Sequence, residues 1–166
     1  MQLKLNDIIG TIQVHSNGSV WMIPRTDKYE IVSDYLNLVG KAQFYKEQRE
    51  LITTELKMLE KFENYNDRFS YFENKLGGMD LEQDEESGWL SRITNVPNLL
   101  FNINTTKLYL AREINDKVLV DKNNLLLIME DWLKIVKLCG SSTPFEIDNF
   151  DLTMETRIMA SKIQKY

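Results

Sequence analysis

A chain of 166 residues with 43% hydrophobic and 27% charged residues has the balance of a globular protein and is long enough to bury roughly 70% of its extended surface. One histidine and one cysteine exclude an internal disulfide framework and a structural zinc cluster, and a formal charge of −5 argues against a general electrostatic grip on phosphate backbones. The opening MQLKLNDIIG has no basic stretch leading into an apolar one, and no apolar run approaches the roughly 20 residues that cross a bilayer, so a cytoplasmic protein without membrane contact is expected.

The expected architecture is one compact α+β domain over residues 1–166, with two short hairpins packed against several helices. Asn17-Gly18 is a strong two-residue turn signal, and centring a hairpin on it pairs Ser16 with Ser19, Val14 with Trp21 and Ile12 with Ile23. Ile8, Gly10, Ile12 and Val14 then share a face with Trp21 and Ile23, which predicts a buried Trp21. Pro24 ends the second strand. Asp27 followed by Glu30 resembles a capping pair, and Ile31, Val32, Tyr35, Leu36, Leu38 and Val39 supply a helical stripe over about 28–39.

Tyr45, Ile52, Leu56, Leu59 and Phe62 predict the longest helix, from Lys41 to about Glu63. The phase continues through Tyr65, Phe69, Phe72 and Leu76, and an unbroken helix over 41–76 would span about 54 Å. A bent helix, or two helices separated near Asn66, is the preferred reading, because Asn and Asp cap helices better than they fill them.

Gly77-Gly78 ends that pattern and opens an acidic stretch, expected as a mobile loop over 77–88. Trp89, Leu90 and Ile93 suggest a short helix stopped by Pro97, while residues 98–106 are Asn-rich and aperiodic. Residues 108–112 and 117–120 predict a second hairpin turning around Asn115-Asp116. Asn123 or Asn124 is placed to cap a helix whose Leu125, Leu126, Met129, Trp132, Leu133 and Val136 form a broad apolar face ending before Gly140. Ser141-Ser142-Thr143-Pro144 reads as a linker, and the segment out to residue 166 is expected to pack on the domain, with a short helix at about 152–163.

Chemistry-bearing motifs are sparse. His15 reads as an exposed residue beside the first turn and Cys139 as a small buried hydrophobe, so no nucleophile and base are paired by spacing. Neither GxGxxG nor GxxxxGK[ST] occurs. The acidic stretch lacks the ligand spacing of a calcium-binding loop, and Glu130-Asp131 reads as helix-surface charge with Lys134 one turn on. Lys107, Arg112, Lys117 and Lys122 gather at the second hairpin, but Glu113, Asp116 and Asp121 alternate with them and cancel most of their field. No catalytic, cofactor or metal residue is assigned.

What remains is a distribution of charge and aromatic area. Asp80, Glu82, Asp84, Glu85 and Glu86 place five carboxylates in seven positions, a charge equal to that of the whole chain. Phe69 and Phe72 lie on an aromatic helical section that suits either a core or an interface, including one between copies of the chain. These seven residues are the expected partner-binding set. They favour a non-enzymatic protein-binding factor, of which an inhibitor or immunity-type protein acting on a basic partner is a concrete version. A small carboxylate-dependent hydrolase or transferase, and a structural assembly component of a phage or mobile element, are the competing classes; nucleic acid is not an expected partner.

Overall fold

The computed structural model describes residues 1–4, 7–75, 81–84, 88–95, 98–139 and 145–150. In chain order the elements are β1 (Gly10–Val14), β2 (Val20–Pro24), a 3-10 turn at Asp27–Tyr29, α1 (Glu30–Val39), α2 (Ala42–Glu50), a π-helical segment at Leu51–Glu55, α3 (Leu56–Lys61) and α4 (Tyr65–Lys75). There follow β3 (Leu81–Asp84), β4 (Gly88–Asn95), β5 (Asn98–Asn102), β6 (Leu108–Glu113), β7 (Asp116–Val120), α5 (Lys122–Cys139) and β8 (Phe145–Phe150). The fold is α+β, with one sheet ordered β2-β1-β8 and a second running β3-β4-β5-β6-β7. The chain forms two compact units, one of Met1–Leu3 with Glu47–Lys122, the other of Lys4–Lys46 with the described residues from Asn123 onward.

In the unit built on the three-stranded sheet, the first hairpin forms with a register one residue away from the sequence expectation. His15 N–H donates to Ser19 O at 2.9 Å and Gly18 N–H to His15 O at 3.0 Å, while Val14 faces Val20, Gln13 faces Trp21 and Ile12 faces Met22. A two-residue type I′ turn needs positive φ at both central positions; here Gly18 has it, at 82°, and Asn17 does not. Asn17 instead accepts from Ser19 N–H at 3.0 Å and Ser19 Oγ at 2.6 Å, giving a three-residue loop with glycine at the left-handed position. Because the strand period is two, the slip reverses the faces. Trp21 is 47% exposed and Met22 is 1% exposed, which corrects the expectation of a buried Trp21.

Met22 joins Ile12 and Val14 on the buried side of the sheet, and α1 packs on β2. The Asn37 amide of α1 pairs with the edge of β2, accepting from Met22 N–H at 2.8 Å and donating to Met22 O at 3.1 Å. The predicted stripe is buried at Ile31, Val32, Tyr35, Leu36 and Val39. Asp27 and Glu30 do not form the expected capping pair: Asp27 sits inside the 3-10 turn and no side chain caps it or α1. In α5, Met129 and Trp132 are fully buried as predicted, with Val136 half-buried, and Tyr35 Oη donates to Met129 Sδ at 3.5 Å. This helix starts at Lys122, so Asn123 and Asn124 lie in its first turn rather than at a cap. The linker and the expected terminal helix lie outside the described residues.

In the unit built on the five-stranded sheet, the expected division of the long helix falls at Phe62–Asn64, two residues before Asn66. Phe62 leaves helical geometry at φ −80°, ψ 132°. Asn64 then caps α4: its Oδ1 accepts from Asp67 N–H at 2.9 Å while its Nδ2 donates to Asp67 Oδ2 at 2.7 Å. Residues expected as a loop or a helix become strands, since Leu81–Asp84 forms β3 and Gly88–Asn95, including Trp89, Leu90 and Ile93, forms β4. Short apolar runs carry little period information, and Trp, Ile and Thr favour the pleated surface. The predicted second hairpin is present as β6 and β7, with Leu108 opposite Val120 and Tyr109 opposite Leu119. Arg68 of α4 fastens the β5–β6 turn by donating to Phe62 O, Ile103 O and Asn104 O at 2.9, 3.0 and 2.9 Å.

Candidate functional site

Of the five acidic residues singled out, Glu82 and Asp84 lie on β3, in register with Leu90 and Gly88 of β4; Asp80, Glu85 and Glu86 lie outside the described residues. Strand β3 ends the five-stranded sheet, with no further strand beyond it among the described residues. Two other edges carry main-chain or side-chain partners. That of β7 is covered by Met1–Leu3, through Leu3 N–H to Leu119 O at 2.9 Å and Leu119 N–H to Met1 O at 3.0 Å. That of β2 holds the Asn37 amide. Strand β8 also ends its sheet, and its carboxylates turn to the neighbouring β1: Asp148 accepts from Thr11 and Glu146 from Gln13, at 3.2 and 2.9 Å. An acidic edge with backbone groups available along it can accept an extended segment as a new strand, and its charge selects which segment.

The two aromatic residues part company. Phe72 is 2% exposed and meets Phe101 of β5 at a ring-centroid distance of 5.5 Å, so it takes the core role and is closed to a partner. Phe69 is half-buried and stacks on Tyr65 at 5.9 Å and 18°. Nearby, Tyr71 Oη donates to Glu55 Oε2 at 2.7 Å, and this hydrogen bond, with burial and the carboxylate charge behind it, pushes the Tyr71 pKa up to about 12. His15 is exposed and Cys139 fully buried. Among the described residues no three His, Cys, Asp or Glu side chains converge in a way that could hold a metal ion, and no helix is long and apolar enough to cross a membrane.

Sequence reasoning discounted the second hairpin, yet there the chain forms an open cleft of about 470 Å³. Lys107, Tyr109, Asn115, Lys117 and Leu119 line it from β6, β7 and their connections, with Met1 and Gln2 beside them. Tyr109 and Leu119 are cross-strand partners, and Ala111 faces Lys117 two pairs further on, so the strand period brings Lys117, Leu119 and Tyr109 to one side. Lys117 Nζ donates to Ile114 O at 2.9 Å and lies 5.5 Å from the centre of the Tyr109 ring. Glu113, Asp116 and Asp121, which cancel the lysines along the sequence, do not line the cleft. Lys122 is drawn elsewhere, into an ion pair with Glu60, and burial together with the Lys57 ammonium lowers its pKa. The legible signal was the two-residue spacing of Lys117 and Leu119 across from Tyr109. Comparison of the chain with known protein families, with curated proteins and with solved structures gave no match.

Proposed function

We propose that this chain is a protein-binding factor whose acidic edge strand β3 takes up an extended basic segment of its partner. The observation that carries the reading is the position of Glu82 and Asp84 on the strand that ends the five-stranded sheet. Main-chain pairing along an edge supplies affinity, and carboxylates on that edge supply selection: they repel a second copy of the same strand and attract lysine or arginine. An inhibitor or immunity-type protein that occupies the basic surface of its target is one form of this activity. Phe72 has no part in it, and the aromatic helical face contributes at most through Phe69.

The test uses the full chain and an extended octapeptide alternating lysine and valine, followed by amide hydrogen exchange. Slowed exchange over Leu81–Asp84 is expected, with affinity falling as salt rises. Glu82→Gln with Asp84→Asn should weaken binding about tenfold, mainly through the on-rate. A peptide N-methylated at alternate amides keeps the charge but loses half its donors, and should bind poorly. Equal binding by the N-methylated peptide, or protection that leaves Leu81–Asp84 unchanged, would refute strand addition.

A further inference from the structure

The geometry points to a second binding site, independent of the acidic edge: the cleft over β6 and β7 binds a phosphate-bearing small molecule of mononucleotide size. Lys107 and Lys117 would hold its anionic group and Leu119 its apolar remainder, over a floor to which the buried Tyr109 ring contributes.

Four observations converge. The volume, about 470 Å³, falls within the roughly 300–1,000 Å³ of small-molecule sites and is several times what a bare phosphate fills. The lining combines two ammonium groups with the amides of Gln2 and Asn115, and no carboxylate is among the described residues that form it. Lys117 is held in place beforehand by the Ile114 carbonyl and the Tyr109 ring, which reduces the ordering cost of binding. Lys107, by contrast, is exposed and has no carboxylate partner among the described residues, so it is available to close on a ligand. The turn that delivers it is fixed: Asn102 Oδ1 accepts from Asn104 N–H at 2.9 Å and Thr105 N–H at 2.8 Å, and Asn102 N–H donates to Lys107 O at 2.8 Å.

Lysine recognises phosphate as a compact point charge, and two lysines suit a dianion. A nucleic-acid strand is disfavoured as the occupant. Two lysines make a site and not a track, and the chain's remaining field is negative, with a net charge of −5.

The experiment titrates the full-length protein with adenosine 5′-monophosphate, inorganic phosphate and adenosine while backbone amide resonances are recorded. The monophosphate should shift the amides of Lys107, Tyr109, Lys117 and Leu119 with a dissociation constant of about 1 mM or tighter. It should also bind more tightly than phosphate or adenosine alone. Lys107→Gln, at a side chain with no partner among the described residues, should weaken it at least about fivefold at an unchanged melting temperature. Lys117→Gln provides a second reading in case the Ile114 contact matters to folding. Absence of shifts at these amides, shifts unaltered by Lys107→Gln, or phosphate binding as tightly as the monophosphate would overturn the proposal. So would an oligonucleotide binding more than about tenfold more tightly than the monophosphate, since that requires a track.

Discussion

Trp21 and Met22 are adjacent on β2 and turned to opposite sides, one 47% and the other 1% exposed. Their substitutions should therefore differ widely. Met22→Ala removes a buried side chain and should cost about 2–5 kcal/mol, whereas Trp21→Ala should cost less than about 1 kcal/mol. Denaturant titration of the two variants measures both, and equal losses would contradict the register. The difference was not legible because Asn-Gly serves two turn types, and choosing between them depends on the φ of a single asparagine. Gly10 adds a constraint on the same hairpin. A Cβ there would collide with the Ile23 carbonyl, so the strand pairing requires glycine at this position.

At the scale of elements, those with long stripes or paired alternation were readable: α1, α5, the division of the long helix, and the β6–β7 hairpin. Strands β3 and β4 were not. An acidic tetrapeptide has no apolar period, and its pairing depends on neighbours that local sequence does not specify. The π-helical turn at Leu51–Glu55 was equally hidden, though it sets a contact that can be tested. Glu55 closes that segment and accepts from Tyr71 of α4 at 2.7 Å, so one hydrogen bond ties two helical elements. Tyr71→Phe should cost about 1–2 kcal/mol at neutral pH. Because the folded pKa of Tyr71 is raised from 10.0 to about 12, the contribution is fully present below about pH 10 and is lost as pH rises toward 12. Unfolding of wild type and Tyr71→Phe across that range should converge on the alkaline side; a constant gap would show that the hydroxyl contributes through packing alone.

For the molecule as a whole, the governing quantity is charge. Asp80, Glu82, Asp84, Glu85 and Glu86 together equal the net charge of −5, and the rest of the chain is formally neutral. Two of these residues lie on a strand that ends its sheet, so the same carboxylates that would select a basic partner would also oppose pairing between copies of the chain. Replacing all five by their amides brings the formal charge to zero, where mutual repulsion no longer opposes association. Fold stability should change by less than about 1 kcal/mol, since relief of crowded like charges offsets any lost local contact. Self-association should rise, with β3 pairing against β3. Sedimentation velocity over a concentration series, set beside hydrogen exchange at Leu81–Asp84, reads both effects. Larger species with new protection on that strand are expected in the amide variant. If the variant sediments as the wild type does, the acidic run is not what keeps this edge from pairing with itself, and the selectivity assigned to β3 loses its electrostatic basis.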